Sequence, residues 1–359
     1  LIRAYTKEPY NARQAQHLAE FIAWGPVVFQ VSRIMIKRGI LDMIRESENG
    51  LTIKEIAQKA ELSEYAVQTL MEASLCIGTM LLDSSTERFT ISKTGWFLLQ
   101  DRATRVNIEF NHHINYKGMF NLEDSLLEGV PKGLETLGNW QTIYEGLSQL
   151  PEQAKKSWFN FDHFYSDSSF PDALKVVFDT YHIKSLWDIG GNTGKWALEC
   201  VKYNPDVKVT VLDLPQQIKL LKENIEGKYG CERIESVGIN LLQENSEFPA
   251  GSADAIWMSQ FLDCFSKEQI TNILQRLRKT MGERSRIFIM EPLWDRQKYE
   301  TAAFCLTMTS LYFTAMANGN SKMYTTQDLQ DCIVAAGLKT EEIYDNLGQA
   351  NSILVLKRA

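Results

Sequence analysis

The last half of this 359-residue chain predicts a doubly wound α/β sheet, preceded by a mostly helical N-terminal part. Three observations carry the prediction. From residue 183 onward, short apolar runs alternate with helical stretches, the pattern of parallel strands joined by crossover helices. The run 185–189 ends at Gly190, Gly191 and Gly194 and passes straight into a helical stretch at 195–201. A second apolar run, 207–212, ends at Asp213, about 20 residues past those glycines. A strand, a glycine turn and a helix N-terminus together form a cradle for a nucleotide-type cofactor. Glycine lets the backbone approach the ligand, and the helix end offers free N–H groups.

Taken in order, the elements begin with helix at 11–48. Phe21, Trp24, Val27, Val28, Val31, Ile34 and Met35 recur there at helical spacing. So wide an apolar stripe predicts core packing or an interface between two copies of the chain. Residues 50–100 form the next unit. Thr52 and Glu55 make a capping box, Ser63 caps a second helix, and 81–91 alternates like a hairpin with a polar turn. Two helices and a hairpin make a winged helix, whose direct reading is DNA binding. Charge argues against that reading. Ala60 to Glu87 holds no Lys or Arg, and Glu61, Glu64 and Glu72 mark the second helix, which phosphates would repel.

Residues 105–182 are aromatic-rich and read as helical. In the sheet region the predicted strands are 185–189, 207–212, 233–238, 253–258, 285–290, 339–345 and 352–357. Only Asn346-Leu-Gly348 and its neighbours separate the last two, too short a link for a crossover helix, so they form an antiparallel hairpin. The expected division is therefore 1–104, 105–182 and 183–359.

Composition narrows the function. With 44% apolar and 23% charged residues the chain is an ordinary globular one. A net charge of −7 disfavours nucleic acid as a partner. The six cysteines are scattered, which fits a reducing cytoplasm and supplies neither a disulfide framework nor a zinc site. No apolar run reaches the length of a membrane span. His and carboxylates show no metal-ligand spacing.

The motifs Asp188-Ile-Gly-Gly-Asn-Thr-Gly194 and Val211-Leu-Asp-Leu-Pro215 resemble the S-adenosylmethionine-dependent O-methyltransferases related to plant caffeate and hydroxyindole (acetylserotonin) enzymes. The resemblance runs over nearly the whole chain. It implies a class I methyltransferase sheet of five parallel strands plus a hairpin, and an N-terminal module that dimerises. It implies S-adenosylmethionine as cofactor, a small aromatic hydroxyl compound as acceptor, and a homodimer.

Strand ends in such sheets carry the ligands. Gly190 and Asp213 with Leu214 would hold the cofactor's turn and ribose. Asn240, where the family has Asp, would face adenine, with Leu241 packed on the ring. Ser259 falls where the family carries a Lys near the cofactor. Phe161-Asp-His-Phe-Tyr-Ser-Asp-Ser-Ser169 resembles the family's Phe-x-x-x-Met-x-x-x-Ser. By that match Phe161 and Tyr165 would touch the acceptor, and Ser169 would approach the cofactor.

The stretch Ser259-Gln-Phe-Leu-Asp-Cys-Phe-Ser-Lys-Glu268 departs from the family most. Ser266 as N-cap fixes its register, so Asp263 stands where the family has its catalytic His. Glu291, 28 residues on, retains the first supporting Glu, whereas Met323 stands in place of the second. An ordinary Asp is a poor base for a phenol. With pKa values of about 10, 6.5 and 3.9, proton transfer costs roughly 5 kcal/mol to His and roughly 8 kcal/mol to Asp. Burial beside Glu291 would raise Asp263 and narrow that gap. His163 is an alternative base, and Asp263 as a mere helix cap is an alternative to any chemical role. Three functions remain open on this evidence: methyl transfer to oxygen, a different reaction with the same cofactor such as C-methylation, and a non-catalytic regulator that uses the winged helix.

Overall fold

The computed structural model describes residues 5–243 and 246–359; residues 1–4 of the first expected domain lie outside them. The chain divides into two compact units, one of residues up to Asn111 and one from His112 to Ala359.

In the first unit, helices Ala12–Ala23, Gly25–Lys37 and Ile40–Glu46 fill the predicted helical stretch. The core of this unit gathers Met35, Ile40, Leu41, Ile44, Ile56, Val67 and Met71. Helices Ile53–Ala60 and Glu64–Ile77 start on the Thr52 capping box and the Ser63 cap. They lead into an antiparallel ribbon of β1 (Met80–Asp83) and β2 (Arg88–Ile91). Helices Lys93–Gln100 and Arg102–Phe110 close the unit.

The second unit is built on a seven-stranded sheet: β3 (Ser185–Ile189), β4 (Lys208–Asp213), β5 (Ile234–Gly238), β6 (Ala255–Ser259), β7 (Arg286–Glu291), β8 (Leu338–Leu347) and β9 (Asn351–Arg358). Its order is β5-β4-β3-β6-β7-β9-β8. The first five strands are parallel, and β9 runs antiparallel to both β7 and β8. The central strands are mostly apolar because helices cover both faces. From β3 the chain winds outward to β4 and β5, then returns to β6 on the other side of β3. The carboxyl ends of β3 and β6 therefore flank the switch point, where a crevice opens. Helix Glu152–Asp167, from the aromatic-rich segment, belongs to this same unit.

Candidate active site

A cavity of about 920 Å³ lies at that switch point, lined by residues of the second unit. One end is the glycine turn. Gly190 has φ of +73° and Gly194 +76°, in the left-handed region that favours glycine. A Cβ on Gly190 would overlap the Phe261 ring, so glycine there lets the loop after β6 pack onto the turn. A Cβ on Gly191 would come within 2.6 Å of Asp188 Oδ2.

Asp213, at the end of β4, is gripped by the backbone. Its Oδ2 accepts from Asn192 N at 2.8 Å and its Oδ1 from Leu214 N at 2.7 Å. Burial pushes this carboxyl up, against the pull of the two N–H groups. Asp213 lines the cavity, where two ribose hydroxyls could donate to its remaining lone pairs. Asp188 beneath the turn is 2% exposed and its Oδ2 has no partner among the described residues. Burial and the negative charge of Asp213 push Asp188 up to about 8. An unsatisfied buried acid beside a glycine turn fits a ligand that brings a hydrogen-bond donor, such as the ammonium at the amino-acid end of S-adenosylmethionine. Leu214, Asn240, Leu241 and Ser259 line the same end. Asn240 Oδ1 accepts from Leu242 N at 3.0 Å, which fixes its orientation. Arg276 holds the Leu241 carbonyl at 2.7 Å. These residues fit the cofactor.

The other end is the loop between β6 and helix Lys267–Thr280. Gln260 sits at φ of +45° while its N–H donates to Met290 O at 2.9 Å, so the chain turns sharply straight off the strand. Glu291 Oε1 accepts from Phe261 N at 3.0 Å and Leu262 N at 2.8 Å. Asn318 donates to Cys264 O at 2.7 Å, and the Tyr324 hydroxyl to Phe265 O at 2.6 Å. Four groups thus fix a loop whose product is the position of Asp263.

Asp263 lines the cavity and is 5% exposed; among the described residues the one side-chain donor to it is the Cys264 thiol, 3.5 Å from Oδ1. Burial pushes its carboxyl up to about 7. The thiol contact lowers it and the charge of Asp162 raises it. The helix that follows is capped by Ser266 and Gln269, with no bond from Asp263. Glu291 is raised well above the carboxylate range by burial and by Asp263. It does not line the cavity with Asp263 but lies behind the loop it holds.

The aromatic wall differs from expectation at two positions. Phe161 and Met323 line the cavity, and so does His163, whose Nδ1 lies 3.6 Å from Asp167. Tyr165 does not line it: its ring packs back on Phe161 and Phe164, and its carbonyl accepts from Asn351 at 2.9 Å. Ser169 is fully buried away from the cavity, donating to Leu347 O at 3.1 Å and accepting from Asn351 at 2.8 Å. That serine ties the helix to the β8–β9 turn. Sequence reasoning missed Asp162 and Gln260, and it quoted Asp188 only as part of the motif. Asp162 adjoins the singled-out Phe161, and Asp188 is the last residue but one of the strand before the glycines. Gln260 had no local signal, because its left-handed backbone follows from the loop as a whole.

Two family models match the chain: a Dimerisation2-like domain at residues 16–89 and an O-methyltransferase domain at 164–339. Human acetylserotonin O-methyltransferase is 22% identical over 295 residues, spanning 79% of this chain and 82% of that protein. The solved complex of the human enzyme with S-adenosylmethionine aligns with a TM-score of 0.68 at 17% identity, over 99% of this chain and 100% of that one. O-methyltransferase 7 of Dictyostelium discoideum is 23% identical over 349 residues, 97% of this chain and 96% of that protein. The structure of a mitomycin 7-O-methyltransferase aligns with a TM-score of 0.71 at 16% identity, over 96% and 98%. At such identities the structural likeness speaks for the fold.

Proposed function

Because this chain belongs to the S-adenosylmethionine-dependent O-methyltransferase family, we propose that it methylates a hydroxyl of an aromatic or polyketide-like small molecule, with Asp263 as the group that takes the hydroxyl proton. The observation that carries this reading is one cavity with the Asp213-bound glycine turn at one end and the buried Asp263 at the other. The family is one of enzymes, which sets aside the ligand-binding regulator.

Bound S-adenosylmethionine supplies an electrophilic methyl group on a sulfonium. Asp213 and Leu214 would hold its ribose, Asn240 and Leu241 its adenine, and Gly190 and Ser259 its surroundings. Asp263 replaces the family His without the cost of an ordinary Asp. At a pKa near 7, accepting a phenol proton costs roughly 4 kcal/mol rather than roughly 8. Alignment in a closed site can offset a barrier term of that size. Glu291 acts through the loop and keeps Asp263 aimed into the cavity. Phe161 and Met323 supply apolar wall for a flat acceptor.

The N-terminal unit, in the same reading, joins two copies into a homodimer, and its winged-helix-like shape serves association rather than DNA. Supporting this are the Dimerisation2-like match and the exposed Phe21, Ile22, Trp24 and Val27. The six free cysteines suit a cytoplasmic setting.

A screen of phenols and hydroxylated polyenes with labelled S-adenosylmethionine tests the function. A methyl ether should form, with loss in Asp263→Asn. Methylation at carbon, with every hydroxyl left untouched, would overturn it.

A further inference from the structure

We propose that the acceptor is a cation: a hydroxylated aromatic ring bearing a protonated amine, for which Asp162 is the counter-ion while Asp263 meets the hydroxyl. This rests on the proposed hydroxyl methylation and names the substrate class of that site.

Asp162 projects from helix Glu152–Asp167 into the cavity, one residue from Phe161. Its side chain is 28% exposed, and the His163 imidazole Nδ1 lies 3.8 Å away, outside hydrogen-bond distance. Burial pushes its carboxyl up; His163 and Lys195 pull it back down, and the charge of Asp167 adds to the rise. Asp263 is far more deeply buried, receives one thiol contact, and shares the cavity. Asp162 and Asp263, two of the acids that line this pocket, have few donors and leave a desolvation cost that a ligand cation would relieve.

The rest of the lining points the same way. Among the described residues, Lys195 is the one Lys or Arg on the cavity wall, and Asp167 holds it at 2.8 Å. A carboxylate on the acceptor would find no unpaired Lys or Arg among the described lining residues, and the His163 imidazole already sits beside Asp162 and Asp167. Asp188 and Asp213 belong to the cofactor end and leave Asp162 without an assigned role. A divalent metal is a poor occupant, since no group of three ligating side chains occurs among the described residues. Trp158, Phe161, Phe265, Tyr312 and Phe313 line the cavity, and aromatic faces suit both a flat ring and an ammonium group.

The test uses the full chain saturated with S-adenosylhomocysteine. Three hydroxyaryl compounds of one ring are titrated in by calorimetry at neutral pH, with an ethyl, an aminoethyl or a carboxyethyl side chain. The amine should bind about tenfold or more tighter than the neutral compound, and the acid weakest. Asp162→Asn should bring the amine down to the neutral compound's affinity, and Asp162→Glu should keep the order. Equal binding of all three, strongest binding of the acid, or no amine binding up to millimolar would overturn the inference. So would an equal loss of S-adenosylhomocysteine affinity in Asp162→Asn, which would make Asp162 a cofactor residue. The same compounds are assayed for methyl ether. Methyl transfer without amine preference sinks this inference and leaves the function standing. Amine preference with no hydroxyl methylated sinks the function and leaves the charge recognition.

Discussion

Asp263 carries the heaviest consequences of any single side chain, because its charge costs stability where it serves reaction. Its folded pKa of about 7 lies above the unfolded value of about 3.9. Between those values the folded state holds more protons, so stability falls as pH rises from about 4 to 7 and stays low above it. Asp263→Asn removes that charge. It should gain ~1–3 kcal/mol at pH 8 and little at pH 4, read from denaturant midpoints at both. The same variant should lose ~10²–10⁴ in turnover, the range for a general base, with S-adenosylhomocysteine affinity unchanged. Activity of the native chain should fall on the acid side of pH 7. A stable, fully active Asn variant would leave Asp263 with no chemical role. At the cofactor end, Asp213→Ala strands the Asn192 and Leu214 N–H groups and should weaken S-adenosylhomocysteine binding by ~1–3 kcal/mol in calorimetry. Both aspartates were legible in the sequence because each stands at a countable distance from a local signal: Asp213 closes β4 after the glycine turn, and Asp263 stands just ahead of the Ser266 cap. The raised pKa was legible in direction only. Burial is its main cause, and the charge of Asp162, one helix away, adds to it, a neighbour that no local pattern announced.

At the scale of elements, the strands were readable because each is a buried run punctuated by a turn, and burial on both faces leaves no other use for such a run. The Ser266 cap was readable for a similarly local reason: Ser at N-cap and Gln three residues on close a box without help from the fold. The face of helix Glu152–Asp167 was not readable. Phe161 and Tyr165 are one turn apart, and a rotation of some tens of degrees separates wall from core. Asn351, nearly two hundred residues on in sequence, decides the matter by binding both Tyr165 O and Ser169 Oγ. The loop after β6 yields a sharper test of positioning. Glu291→Ala strands the Phe261 and Leu262 N–H groups in the interior, which should cost ~2–4 kcal/mol of stability and lower turnover. Glu291→Gln keeps an oxygen acceptor at Oε1 and should stay near the native chain in both. If Gln fails as badly as Ala while the fold persists, Glu291 acts through its own proton and not through the loop.

For the whole molecule, the question is what covers the N-terminal apolar surface. Within the unit that ends at Asn111, Ile22 is 69% and Trp24 62% exposed, with Phe21 and Val27 beside them. Side chains of that size gain when buried, by roughly 1.5–3 kcal/mol each, and they lie in one short stretch at the junction of two helices. A second copy is the partner that the Dimerisation2-like match favours, and isologous pairing brings the same stretch of both chains together. Nucleic acid is a poor alternative, because the helix Glu64–Ile77 that would enter a groove carries Glu64 and Glu72 and no Lys or Arg. Light scattering at micromolar concentration should therefore give about twice the 41.1 kDa chain mass. Ile22→Asp with Trp24→Asp should halve that mass. Circular dichroism should stay native, since neither side chain belongs to the core around Met35 and Ile40. Salt separates the two kinds of partner: apolar pairing should persist at high ionic strength, whereas phosphate binding would fall away. A native chain that runs as a monomer at micromolar concentration, or one retained on duplex DNA at physiological salt, would remove the dimer from this account.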